Sequence, residues 1–224
     1  GVNPIIATAY SLFIVGSTAL VGGVQNALLK KVDFKTVLIF GIPSIVAVYL
    51  TRAYIVPIIP EVITQIGDFQ FTKSIALMLL FAVVMIMASI SMIKPSKSVI
   101  VDENQELKYN YPLILLEGTL VGVLTGLVGA GGGFLIIPAL VLLAKMPMKL
   151  AVGTSLFIIA AKSLLGFIGD IQTTPNLDWL LLLIFRGFSI IGIFIGIALS
   201  KKIDGSKLKT SFGWFVLIMG IYII

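Results

Sequence analysis

The 224-residue chain contains neither cysteine nor histidine. Without cysteine there are no disulfides and no thiolate chemistry; without histidine there is no imidazole metal site, no histidine-based triad and no histidine proton shuttle. Charge is scarce too: Asp, Glu, Lys and Arg make up 12% of the residues, against 58% hydrophobic. Soluble domains carry roughly 25% charged residues, so a soluble core is a poor account of this composition. The charge that remains is lopsided, with 16 Lys and Arg to 10 Asp and Glu and a net charge of +6. Most of the lysines lie in short loops between apolar runs, as the positive-inside rule expects, so the excess reads as membrane topology and not as nucleic-acid binding. Enzyme signatures are missing as well. Gly126 to Gly133 is not followed by the Gly-Lys-Ser/Thr of a P-loop, and no G-x-G-x-x-G follows a strand-like run. Gly169-Asp170 has no second intramembrane aspartate with which to share a proton. We therefore expect no enzymatic activity, no cofactor and no metal. Gly1 is not a start residue and no basic n-region precedes the first apolar run, so we expect a fragment or processed form.

What is present is a series of apolar runs of about 20 residues, the length that crosses a bilayer as a helix. They predict an all-α, polytopic membrane helix bundle. Segment A covers Pro4 to Gly23, B Thr36 to Ile59 with Pro43 inside it, and C Lys73 to Ile93. A loop with Glu61 and Asp68 joins B to C, and Lys94 to Tyr111 forms a polar linker. Then come D (Pro112 to Ala144), E (Leu150 to Gly169), F (Leu177 to Ser200) and G (Leu208 to Ile224).

Segment D is too long for one crossing: roughly 33 residues would measure about 50 Å against a hydrocarbon core of about 30 Å. It also holds Gly118, Gly122 and Gly126 at four-residue spacing, then Gly129, Gly131, Gly132 and Gly133. The cluster divides D into Pro112–Val128 and Phe134–Ala144, the second too short to span. Loop charge agrees. If D crosses once, the lysines divide between the two faces. If D enters and returns, loops A–B, C–D, D–E and F–G share one face holding every loop lysine except Lys73. That bias makes the face cytoplasmic, in a plasma membrane. We expect a glycine-hinged re-entrant hairpin.

The chain also repeats. Tyr10-Ser11-Leu12-Phe13-Ile14 matches Thr154-Ser155-Leu156-Phe157-Ile158, Val32-Asp33-Phe34 matches Leu177-Asp178-Trp179, and Ala47 and Thr51 fall where Gly192 and Gly196 sit. So A, B and C correspond to E, F and G. With the hairpin topology the two sets cross in opposite directions, giving inverted repeats of the kind secondary transporters build around a midplane site. Residues 1–93 form the first repeat with three helices, 94–111 a cytoplasmic linker, and 112–224 the second repeat with its hairpin. The mate of hairpin D is expected before Gly1.

The order of these features resembles the sulfite exporter TauE/SafE family: Gly118, Gly122 and Gly126, the cluster Gly129 and Gly131–Gly133, Pro138 five residues on, then Ala151 to Leu156 as AxGTSL. The match is strong over Glu117 to Gly166. The resemblance implies transport of small sulfur-containing anions such as sulfite, sulfoacetate or other organosulfonates. The alternatives are another small anion, or a membrane scaffold without flux of its own.

Candidate binding residues follow from the chemistry an anion needs. A helix starting after Gly133 offers unpaired amides at its positive end, and glycines let an oxyanion approach them, which nominates Gly129, Gly131, Gly132 and Gly133; helix packing is the plainer role for them. Thr154 and Ser155 could donate hydroxyls, with Tyr10 and Ser11 as repeat counterparts; the plainer role for Ser155 is to bond a backbone carbonyl. Arg52, Lys162 and Arg186 are cations within apolar segments, where the cost of burial directs them to a cavity, a partner or, by snorkelling, the interface. Counting along the segments puts all three in the extracytoplasmic half. Glu117 is expected to pair with Lys145 or Lys149, or else to carry a proton. Asp33 and Asp178 read as helix N-caps. The partners are a small anionic substrate and the lipid bilayer. A proton or a sodium ion would supply coupling, the latter through carbonyls freed at the glycine cluster.

Overall fold

The computed structural model describes residues 4–66, 69–94, 110–128, 133–173 and 178–223. It is an all-α bundle. Helix α1 (Pro4–Leu28) is followed by α2 (Phe34–Leu50), which runs through a π-helical turn (Thr51–Ile55) into the short α3 (Val56–Ile58). After a hairpin of β1 (Val62–Ile66) and β2 (Phe69–Thr72) come α4 (Lys73–Ile93), α5 (Tyr111–Val128), α6 (Gly133–Leu142), α7 (Met148–Thr173), α8 (Trp179–Lys202) and α9 (Gly205–Ile223). Among the described residues, five helical stretches are long and apolar enough to cross a membrane: Ala9–Leu28, Phe34–Ile58, Lys73–Ile93, Met148–Ile168 and Trp179–Lys202.

The segments expected from hydropathy match helices with two differences. Helix α1 continues past Gly22 and Gly23 to Leu28. These glycines lie against Leu156, Phe157 and Ile193, so tertiary packing holds the helix through residues that disfavour it locally. The loop between B and C is an antiparallel hairpin, rich in the β-branched and aromatic residues that favour strands. Its base is closed by Lys73 Nζ on Glu61 Oε1 at 2.7 Å and by the Lys73 N–H on the Glu61 carbonyl.

Glycine sets the helix contacts. Helices α2 and α5 run parallel: a Cβ on Gly118 would lie 2.5 Å from the Phe40 carbonyl oxygen, one on Gly122 2.5 Å from that of Ser44, and one on Gly126 2.7 Å from Thr51 Cβ. Helices α1 and α7 are antiparallel, with Gly16 against Ser163 and Leu164, and Gly22 against Leu156. Gly213 and Gly220 of α9 meet Met92 and Met85 of the antiparallel α4. Phe40, Met85, Ile114, Ile136, Leu140, Ile158 and Val216 form the core among α2, α4, α5, α6, α7 and α9.

Contacts around α1 and α7 come in reciprocal pairs. Leu12 packs on Gly166, and Leu156 on Gly22. Phe13 meets Phe167, and Phe157 meets Gly23. Phe13 also lies edge-on to Trp179, and Phe157 tilts against Phe34. The sequence match equates Leu12 with Leu156, Phe13 with Phe157 and Phe34 with Trp179, and Gly22 and Gly23 stand at the same offset from Gly166 and Phe167 as Leu12 and Phe13 do from Leu156 and Phe157. Asp33 and Asp178 cap α2 and α8 as expected, their side chains accepting from Lys35 and Thr36 N–H and from Leu181 N–H respectively.

Candidate functional site

Lys162 lies near the middle of α7, where an ammonium group is costly unless it finds polar company. It donates to Ser44 Oγ on α2 at 3.2 Å. Ser44 is fully buried and follows Pro43, which gives α2 no amide of its own at that turn. Beside this contact is a cavity of about 250 Å³ lined by Leu12, Ile45, Val48, Tyr49, Thr125, Lys162, Ser163, Leu165 and Gly166. Its walls come from α1, α2, α5 and α7, so one cationic residue and three hydroxyl-bearing residues line a mainly apolar space. Thr125 is 3% exposed and its hydroxyl has no hydrogen-bond partner among the described residues. Thr51, one helical face away against Gly126, is also buried with an unpartnered hydroxyl. The sequence nominates none of Thr125, Thr51, Ser44, Tyr49 and Ser163 for binding, Thr51 entering only through the repeat match. The available signal was a small polar residue inside an apolar run, next to the glycine spacing that lets two helices touch.

Of the glycine cluster, Gly129, Gly131 and Gly132 lie outside the described residues. Gly133 opens α6, and a Cβ there would sit 3.3 Å from Ile159 Cδ1, near the middle of α7. Ile159 and Lys162 are three residues apart and hence neighbours on the helix surface. The start of α6 and the lysine are thus within a turn of each other along α7. The ten residues of α6 span about 15 Å, half the hydrocarbon core.

The other nominated residues are spread around the bundle. Thr154 is fully buried and its Oγ1 accepts the Asp33 N–H at 3.1 Å, which leaves its own hydroxyl proton available. Ser155, also fully buried, donates to the Val152 carbonyl at 2.9 Å and so has spent its proton on the backbone. Tyr10 OH accepts the Asp178 N–H at 2.7 Å, while Ser11 is exposed. Because α1 and α7 are antiparallel, Tyr10 and Thr154 occupy opposite ends of the pair. The Arg186 guanidinium lies 5.7 Å from the centre of the Phe13 ring, a cation–π contact, and its Nε is enclosed without a hydrogen bond. It does not line the Lys162 cavity. Arg52 belongs to the π-helical turn, and its side chain lies outside the described atoms.

Glu117 corrects one expectation. It pairs with neither Lys145 nor Lys149: both carboxylate oxygens are without a hydrogen-bond partner among the described residues, and the side chain is 2% exposed. The reason is its face. Glu117 falls between the buried Ile114 and Val121 on α5, whereas Lys145 is exposed in the turn after α6, at φ 53°.

The comparisons with known proteins fit this architecture. A family profile described as sulfite exporter TauE/SafE matches residues 1–223. The probable membrane transporter protein YunE of Bacillus subtilis is 28% identical over 214 residues, covering 91% of this chain and 74% of YunE. The probable membrane transporter protein MJ0441 of Methanocaldococcus jannaschii is 27% identical over 226 residues, covering 97% of this chain and 78% of its own. A shorter match, 36% identical over 96 residues, is to the probable membrane transporter protein YdhB of Bacillus subtilis, covering 43% of this chain and 39% of YdhB. No solved structure matches. With a profile match across almost the whole chain and five helices fit to span a bilayer, this multi-pass membrane protein belongs to the sulfite exporter TauE/SafE family.

Proposed function

We propose that the protein is a secondary transporter moving small sulfur-containing anions, such as sulfite, sulfoacetate or other organosulfonates, by alternating access. The observation that carries this is the cavity at Lys162, where a cation near the middle of a spanning helix bonds Ser44 and shares the lining with Thr125, Ser163 and Tyr49. A lysine ammonium and hydroxyl donors suit an oxyanion, and the apolar walls of Leu12, Ile45, Val48 and Leu165 suit a short hydrocarbon part. The amides opening α6 approach the same level of α7 and add the positive end of a helix. In this proposal the tip at Gly129–Gly133 and Lys162 share the anion; Arg186 and Arg52 attract it electrostatically; Thr154, Tyr10, Ser155 and Ser11 serve the helix ends that move.

The inverted repeat is part of the same proposal. It is supported by the reciprocal contacts around α1 and α7 and by the antiparallel course of these two matched helices. The match further equates Phe40, Ser44, Ala47 and Thr51, the seat of α5 on α2, with Phe185, Ser189, Gly192 and Gly196 of α8. Gly192 and Gly196 have open space beside them among the described residues. Two such halves rocking about α1 and α7 would open a midplane site to either side in turn. In the proposed orientation the α1–α2, α6–α7 and α8–α9 turns are cytoplasmic.

The test is flux. Purified protein in liposomes should move labelled sulfite and sulfonates faster than protein-free vesicles, and unlabelled sulfonate should compete. Absence of flux for sulfite, sulfonates and small carboxylates alike would refute transport.

A further inference from the structure

Glu117 is the one carboxylate on α5, and it points into the bundle core and not at lipid headgroups or solvent. Its neighbours along the same stripe of α5 are Ile114 and Val121, which join Phe40, Phe81, Met85 and Leu140 in the core. Both carboxylate oxygens are buried and unbonded. Among the described side chains, no hydrogen-bond partner for either oxygen comes from the elements packed against α5. Helix α2 carries Lys35 and Tyr49, both exposed, and Asp33 at its cap. The π-helical turn carries the exposed Tyr54 and Arg52, whose side chain is outside the described atoms. Helix α4 carries Lys73, bonded to Glu61, and α6 carries no titratable group. On α5 itself Tyr111 is half-buried, and Lys162 on α7 reaches toward Ser44.

An ionised carboxylate with neither counter-charge nor hydrogen bond is among the most costly groups to bury, while the neutral acid costs no more than an ordinary polar group. This closed packing around Glu117 therefore does not treat the two forms of the side chain alike. Any conformation that admits water to α5 removes that difference. A proton-binding group whose affinity differs between two conformations links the proton to the conformational cycle.

The anion is linked to the same proton by position. Gly118 packs on Phe40 and Gly122 on Ser44, so Glu117 stands about 7 Å along α5 from the level of the Lys162–Ser44 contact. An anion at the cavity and an ionised Glu117 would repel each other through a medium that screens weakly. Protonation removes the repulsion, so proton and anion favour each other's binding. We propose that Glu117 is the proton-binding residue of this transporter, loading one proton from water together with each anion and releasing it to water on the other side. This rests on the transport reading above and names its coupling ion.

Methanesulfonate is the probe, because a sulfonate stays anionic at any pH the vesicles tolerate, so a pH effect belongs to the protein. The full chain is reconstituted in liposomes holding a pH-sensitive dye, with labelled methanesulfonate outside. An outside-acid gradient of one pH unit should drive accumulation toward a limit of about tenfold for one-to-one coupling, together with internal acidification. Glu117→Gln should equilibrate the label downhill with neither accumulation nor acidification, and Glu117→Asp should restore both. Wild-type flux that ignores the gradient, or a Glu117→Gln protein that still accumulates label, overturns this inference and leaves the transport reading standing. If Glu117→Gln does not fold, the wild-type gradient and the Glu117→Asp protein decide alone. No methanesulfonate flux under any gradient overturns this inference, while sulfite flux in the same vesicles would leave the transport reading intact.

Discussion

Lys162 Nζ donates to Ser44 Oγ across 3.2 Å, so the cation of α7 is held to α2 through a hydroxyl at the level where Gly122 presses α5 onto α2. Three helices meet at that point, and two of its contacts are polar groups inside apolar sequence.

If Lys162 holds the anion, Lys162→Gln should raise KM for transported sulfonate about tenfold or more. A hydrogen bond to a charged group contributes roughly 1.5–3 kcal/mol, and 1.4 kcal/mol is a factor of ten. Lys162→Arg keeps the charge and should recover part of the loss. Melting in detergent separates site from scaffold: the two variants should melt alike while differing in KM. Equal KM for wild type and Lys162→Gln at low salt would remove the lysine from the pathway.

The glycine spacing predicts an asymmetry between α5 and α8. A side chain on Gly122 meets the Ser44 carbonyl at 2.5 Å and the Ala47 side chain at 2.7 Å, so Gly122→Leu must push α5 off α2. Overpacking of this kind costs about 1–3 kcal/mol or more where backbone is the obstacle. A Cβ on Gly192 would meet no described residue within 4 Å. We expect Gly122→Leu to lower the melting temperature and abolish flux, and Gly192→Leu to leave the melting temperature of this chain unchanged. Equal damage from both would mean that α8 has a packing partner at that face.

Thr154 tests whether a hydroxyl nominated for the anion acts at a helix end. Its Oγ1 accepts the Asp33 N–H, next to the cap of α2. Thr154→Val keeps the shape and leaves that amide unpaired, at a cost of about 1–3 kcal/mol. The melting temperature should fall. Thr154→Ser should restore it. A rise in sulfonate KM with no change in melting would instead place the hydroxyl on the substrate.

Most of the helix plan was legible in the sequence, because apolar length and lysine placement are summed over many residues. The break in segment D followed from length, and α5 and α6 flank it as two helices. What stayed hidden depends on rotation about a helix axis. Nothing in the string shows that Glu117 lies on the buried stripe with Ile114 and Val121 and away from Lys145, or that Ser44 meets Lys162 while Thr125 lines the cavity beside it. Likewise the Thr154 and Ser155 hydroxyls look alike in sequence, and only their partners reveal that one keeps its proton free and the other does not. The β-hairpin after α3 escaped because strands of five and four residues leave a weak signal between two long apolar runs.

The re-entrant course proposed for α5 and α6 makes a prediction about sidedness that needs no substrate. Lys94 precedes the linker before α5, and Lys145 lies in the turn after α6. If the pair enters the membrane and returns, both lysines lie on one face, together with Lys30 in the α1–α2 turn; if the pair crosses once, Lys94 and Lys145 lie on opposite faces. The strand β1 is separated from Lys30 by one crossing, α2, so Thr64 belongs on the other side. The chain has no cysteine, so single variants need no background removal. In right-side-out vesicles a membrane-impermeant maleimide should label Thr64→Cys and spare Lys30→Cys, Lys94→Cys and Lys145→Cys, and inside-out vesicles should reverse the pattern. Labelling of Lys94→Cys and Lys145→Cys from opposite sides would show that the chain crosses once between them, and the inverted relation of the two repeats would fall with the hairpin.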